Sequence, residues 1–121
     1  MFICTVTSVW DGDGPIHCAE GQKIRLHAIA AREIDETCTA GHPCPSASGA
    51  EAKRALQRFA LGQTLRCEAT GTSYARMTAW CWRRDGLELN CAMIRSGTAL
   101  RWDKYDRQRK LCRRVPRFLT P

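Results

Sequence analysis

Eight cysteines in 121 residues constrain this chain more than any other feature. Such a density belongs to small domains whose cores gain from covalent staples. The count is even and no Cys-x-x-Cys occurs, which argues against a zinc knuckle or a thioredoxin-type site. Disulfides are the better reading, and they imply a periplasmic or secreted destination. Eight cysteines allow on the order of a hundred pairings, and placement along the chain narrows them. Cys4 and Cys18 lie nearly symmetrically about a turn at residues 11–14, as cross-strand neighbours would. Cys38 and Cys44 close a short Gly/Pro loop, and Cys67 and Cys81 fall on two successive strand-like runs. Cys91 and Cys112 remain, and their bridge would tie the tail to a helix. A competing idea makes Cys38, His42 and Cys44 a metal site, but two or three ligands in one flexible loop hold an ion poorly.

Between the cysteines the pattern is mainly β with helices. Residues 2–10 are rich in Val, Ile, Thr and aromatic side chains, which reads as a strand. Asp11-Gly12-Asp13-Gly14-Pro15 is strong turn chemistry, residues 16–19 return as a second strand, and Glu20-Gly21 turns again. Residues 23–29 make a third strand, with Ile24, Leu26 and Ala28 on one face and Arg25 and His27 on the other. After a loop at 34–47, Ser48 and Glu51 fit a capping box. Ala52, Ala55, Leu56 and Phe59 follow at helical spacing, and Gly62 stops the helix. Residues 63–69 and 77–82 read as fourth and fifth strands, and 89–96 as a second helix ended by Gly97. Short antiparallel strands with one interrupting helix are compatible with a small closed barrel.

The chain reads as one domain at 1–105 followed by a basic tail at 106–121. Of the net charge of +7, six units fall in residues 101–121, where Arg101, Lys104, Arg107, Arg109, Lys110, Arg113, Arg114 and Arg117 face only Asp103 and Asp106. A basic strip of this kind favours a polyanion such as nucleic acid, the alternative being a solvated tail that aids solubility. The apolar runs are too short to span a bilayer, so no membrane partner is expected. Residues 1–10 lack the basic and apolar regions of a signal peptide, so any leader has been removed or never existed.

Four pieces in order resemble the staphylococcal-nuclease (thermonuclease) family: Asp11-Gly12-Asp13-Gly14, then 25–33 (RLHAIAARE), then Tyr74-Ala75-Arg76, then 89–99 (LNCAMIRSGTA). The family patterns are Asp-Gly-Asp-Thr, Arg-Leu-x-x-Ile-Asp-x-Pro-Glu, Tyr-Gly-Arg and a Val-Asn-x-x-Leu-Val-x-x-Gly-x-Ala helix. The resemblance spans residues 2 to 105. It implies an OB-fold-type five-stranded β-barrel with two to three α-helices, acting as a monomer that hydrolyses phosphodiester bonds of DNA or RNA. By that resemblance Arg25 and Arg76 hold the phosphate and steady the charge developing on its oxygens, and Glu33 activates water. Tyr74, Tyr105 and Lys104 would contact substrate, and Asp13 would bind calcium (Ca2+). His17 and His27 are weaker candidates for phosphate contacts, and Trp10, Trp80, Trp82 and Trp102 read as packing the barrel or its rim rather than binding bases.

The sequence departs from its relatives at the metal. Ala30 stands where the family has its second ligand Asp, Ala31 where it has Thr, Arg32 where it has Pro, and Gly14 where it has Thr. Calcium wants six to eight oxygens with negative charge among them, so the site is weakened or lost unless Asp11 or Asp35 compensates. Arg32 would then place a fixed positive charge near the phosphate. The rival expectation is a catalytically inactive module that binds nucleic acid or a protein partner; a third is a secreted toxin or effector using the same chemistry.

Overall fold

Alternation of apolar and polar side chains puts Cys4 and Val6 of the first strand inward, and a register shift between Val6 and Ser8 brings Val9 inward after them. The structure, a computed structural model, describes residues 1–73, 75–107 and 111–112. Its elements are β1 (Phe2–Val9), β2 (Ile16–Cys18), β3 (Lys23–Leu26), β4 (Ile29–Ala30), α1 (Gly49–Ala60), β5 (Thr64–Ser73), β6 (Arg76–Trp82), α2 (Leu89–Arg95) and β7 (Leu100–Arg101). Five strands close a barrel in the order β1-β2-β3-β6-β5. The β3–β6 pair is parallel, and the other barrel pairs are antiparallel. Closure pairs every strand of the barrel on both sides, and the interior is filled by Ile16, Ile24, Leu26, Leu65 and Trp82. This is the disulfide-stapled OB-type barrel with helices that the sequence suggests.

Four disulfides join Cys4 to Cys18, Cys38 to Cys44, Cys67 to Cys81, and Cys91 to Cys112, and no cysteine is free. These are the pairs inferred from placement. Cys67 and Cys81 are direct register partners on β5 and β6. Four bridges fit an oxidising compartment. Among the described residues no helix is long and apolar enough to cross a membrane.

The third strand departs from the sequence reading. It breaks at His27–Ala28, where Ala28 takes φ 60, and the chain leaves the barrel as β4 to pair with β7. The break is fastened from several sides. Ala28 O accepts from Trp102 N at 2.7 Å, and His27 N donates to Ala79 O at 2.8 Å. Buried Asn90 of α2 donates from Nδ2 to His27 O at 3.0 Å and to Ala79 O at 3.2 Å, while its Oδ1 accepts from Cys81 N at 3.2 Å. β5 also runs four residues beyond the expected end, to Ser73.

Helix α1 begins where expected. Ser48 Oγ accepts from Glu51 N at 3.0 Å, and Glu36 Oε1 accepts from Gly49 N at 2.7 Å, so two free N–H groups of the first turn are met. Gly49 is required for packing, because a Cβ there would fall 2.0 Å from Glu33 O. Folded contacts continue past residue 105. Asp106 and Leu111 are buried, Arg101 Nη2 donates to Leu111 O at 3.0 Å, and Cys112 N donates to the Glu88 carboxylate at 3.0 Å. The expected site residue Tyr74, and Arg109, Lys110, Arg113, Arg114 and Arg117 of the basic tail, lie outside the described residues.

Candidate active site

The turn between β1 and β2 lays two carboxylates against β3 and α1. Only glycine fits at position 14: φ is 116°, and a Cβ would come 2.5 Å from Ile24 O. That explains the departure from the family's Thr. A Cβ on Gly12 would meet Ala52 Cβ of α1 at 2.4 Å, so the turn is pressed onto the helix. Asp13 O accepts from Leu26 N at 2.9 Å and Asp13 Oδ2 from Ala31 N at 3.1 Å, which bind the turn to both sides of the β3–β4 break.

Arg25 is the centre of this arrangement. It is buried, and its Nη1 donates to Leu26 O at 2.7 Å and Ile29 O at 3.0 Å. Its Nη2 lies 3.4 Å from Asp13 Oδ2, and the guanidinium sits 5.8 Å from the Trp102 ring centroid. Three of the five N–H groups of the fork are thus committed to the protein, and the others remain for a ligand. The side chain of Arg76, at the start of β6, makes no hydrogen bond or ion pair with the described residues.

A cavity of about 500 Å³ brings together Asp13, Arg25, Glu33 and Arg76, four of the residues singled out in the sequence, with Asp11 and Trp10 beside them. A second, of about 460 Å³, shares Arg25, His42 and Arg76 and adds His27, Trp102 and Tyr105. Glu33 is half-buried; its Oε1 accepts from Thr39 Oγ1 at 3.1 Å. Asp11 is buried and within hydrogen-bond reach of Glu33. Burial first, then that hydrogen bond and the negative charge of Glu33, push the Asp11 carboxyl up to about 7. Burial also holds Asp13 above the usual carboxylate range, against the pull of Arg25.

The other sequence candidates divide. Tyr105 is half exposed and lines the second cavity. Lys104 is exposed and lies 5.5 Å from the Tyr105 ring centroid, outside both cavities. Arg32 also lines neither; it clamps the 31–48 loop, donating to Glu36 O and Pro45 O at 2.9 Å each. Asp35 is spent on Thr37, whose N and Oγ1 both donate to it. His27 is half-buried in the second cavity, and burial lowers its pKa, whereas His17 sits on β2 and lines neither cavity. Trp80 and Trp82 pack as expected, their rings stacked 5.3 Å apart. Trp10 is 62% exposed and borders the first cavity. Asp11 and His42, weighed in the sequence only as metal ligands, and Thr39, which carries no signal of its own there, join the site: Asp11 from the β1–β2 turn, Thr39 and His42 through the way the 31–48 loop folds back.

The donors do not fit calcium. Ala30 is fully buried in β4 and offers no carboxylate, and Asp13 Oδ2 is already bonded by Ala31 N and faced by Arg25. Among the described residues no group of three His, Cys, Asp or Glu side chains is placed to hold an ion. A hard dication seeking six to eight oxygens meets two arginines instead.

No family model matches the chain. It is 34% identical over 95 residues, 77% of this chain, to the succinoglycan biosynthesis protein ExoI of Rhizobium meliloti (strain 1021), of which those residues make up 49%. The chain spans about half the length of this curated relative.

Proposed function

We propose that this protein is a thermonuclease-like phosphodiester hydrolase acting on DNA or RNA. One observation carries the reading: Arg25, Arg76 and Glu33, drawn from three separate stretches of sequence, line a single cavity. Arg25 is held rigidly and presents its remaining N–H groups to a phosphate oxygen, and Arg76 presents a guanidinium that the described residues leave unpaired. Glu33 takes the proton of the attacking water, with Thr39 fixing the orientation of the carboxylate. The arginines offset the charge that builds on the phosphate oxygens, and no step is assigned to a metal. The protein acts as a monomer in the periplasm or outside the cell. This reading rests on the cavity and the resemblance, not on the Rhizobium relative, whose name refers to succinoglycan biosynthesis.

The test is cleavage of single-stranded DNA and RNA with calcium, with magnesium and with chelator, beside Glu33→Gln and Arg76→Ala. Cutting that persists in chelator and falls by about 10²-fold or more in both variants is expected. Wild-type turnover in either variant refutes the site. Binding of an oligonucleotide without cleavage under any condition supports the inactive module instead, the reading favoured by the missing carboxylate at Ala30.

A further inference from the structure

Hydrolysis of a phosphodiester moves two protons: one leaves the attacking water and one must reach the departing oxygen. The proposed function supplies Glu33 for the first and nothing for the second. Arg25 and Arg76 keep their protons at any ordinary pH. Asp11 is buried beside Glu33, on the side of the attacking water.

The two cavities have Arg25, His42 and Arg76 in common. His42 belongs to the loop closed by Cys38–Cys44, six residues apart, and its ring lies 4.4 Å from that of Trp102. Trp102 is itself braced edge-on by Tyr105 at 4.8 Å. His42 N donates to Thr39 O at 3.0 Å, and Thr39 reaches Glu33. A bridge, an aromatic contact and a hydrogen bond therefore hold the imidazole where both arginines meet the cavities. Glu33 borders only the first cavity, whereas His42 borders both. In-line displacement needs attacking and leaving oxygens on opposite sides of phosphorus. A phosphate held between the arginines, attacked from the Glu33 side, sends its leaving group toward the second cavity.

Building on that reading, we propose that His42 is the general acid of the reaction. The water oxygen bonds to phosphorus as Glu33 takes its proton. The bond from phosphorus to the leaving oxygen breaks with its electron pair, and that oxygen takes the proton of the His42 imidazolium. Exchange with solvent then returns a proton to the neutral imidazole and removes one from Glu33. The charged and titratable groups around His42 are Arg25 from β3, Arg76 from β6, Asp11, Asp13 and Glu33 across the first cavity, and His27 and Tyr105 in the second.

The experiment compares His42→Gln with wild type on a single-stranded DNA oligonucleotide and on the p-nitrophenyl ester of thymidine 5′-monophosphate. An alkoxide leaving from DNA needs a proton, whereas p-nitrophenolate departs without one. The variant is expected to lose about 10²-fold or more on DNA and far less on the ester. Retained ester hydrolysis shows that the variant is folded. Equal losses on both substrates, or no loss on DNA, overturn the assignment. Wild-type protein that cleaves neither substrate overturns the hydrolase reading and this assignment with it. If the variant does not fold, wild type alone decides: kcat on DNA falls on the alkaline side while kcat on the ester does not, and matching alkaline limbs overturn the proposal.

Discussion

Asp13 separates two jobs that a carboxylate can do at this site, accepting a hydrogen bond and carrying charge. In Asp13→Ala the buried Ala31 N–H loses its acceptor, which costs about 1–3 kcal/mol. Arg25 loses its anion as well, and stripping one partner from a buried pair costs about 3–5 kcal/mol in total. Because Arg25 keeps the carbonyls of Leu26 and Ile29, the lower end applies, about 3 kcal/mol. Asp13→Asn is different. It keeps an oxygen for Ala31 N–H and removes the charge whose burial raises the Asp13 pKa in spite of Arg25. A raised value means that the folded state disfavours the ionised carboxylate. The Asn variant is therefore expected within about 1 kcal/mol of wild type at pH 7, a range ordinary for a substitution that leaves its hydrogen bond in place. The assay is thermal unfolding with disulfides intact, where about 3 kcal/mol corresponds to a fall of roughly 10 °C. An Asn variant as unstable as the Ala variant refutes the reasoning, because attraction between Asp13 and Arg25 would then dominate. The same melts test calcium. An ion present at 100-fold excess over its Kd would add about 2.7 kcal/mol. No rise in melting temperature is expected, and a rise of several degrees overturns the donor argument.

Three further outcomes rest on Asp11 and on the disulfides. The Asp11 carboxyl titrates at about 7 in the fold against an ordinary value of 3.8, so the folded state binds the extra proton between these values. Its stabilising contribution is fully present below the ordinary value and lost as pH rises through about 7, so wild type should lose more melting temperature from acid to mildly alkaline pH than Asp11→Asn; equal slopes refute this. Among the disulfides, removing Cys91–Cys112, 21 residues apart, should cost about 1 kcal/mol more than removing Cys38–Cys44, six apart, by loop entropy. The smaller bridge should nonetheless matter more for turnover, since its loop carries His42 and Thr39, and unchanged activity in Cys38→Ser/Cys44→Ser refutes that.

Local chemistry explains which parts of this molecule could be read in advance. The Ser48 cap, the glycine stop at position 62 and the β-branched run of β1 are decided by neighbours within a few residues, and they appear where expected. The four cysteine pairs were readable for a related reason, since each joins neighbouring strands, closes a short loop or ties a helix to the segment beyond it. The break at Ala28 was not readable. An uninterrupted strand over 23–29 satisfies every local preference, and the left-handed residue is imposed by distant partners: Trp102 N on Ala28 O, Asn90 Nδ2 on His27 O, and the Arg25 fork across the gap. At the site, Arg25, Glu33 and Arg76 were legible only as pieces of a pattern. That Arg32 faces two loop carbonyls rather than the cavity, and that His42 faces the cavity, depends on how a 31–48 loop of little regular structure folds back.

The electrostatics of the cavity give the change at Ala30 a physical sense. A calcium site works by gathering ionised carboxylates, which repel one another until the ion arrives. Here the carboxylates are instead pushed toward neutrality: Asp11 by burial and by Glu33, Asp13 by burial. Two guanidinium groups that keep their charge stand beside them. A third buried carboxylate at position 30 would add unfavourable burial and could draw one of those arginines into a closed pair. With Ala30 buried in β4 and paired with Leu100 of β7, Arg25 leans on the neutral carbonyls of Leu26 and Ile29 and keeps donors for an incoming anion. On the proposed reading, the residues that disfavour a dication favour a phosphodiester, and His42 offers the exchangeable proton that an arginine does not release.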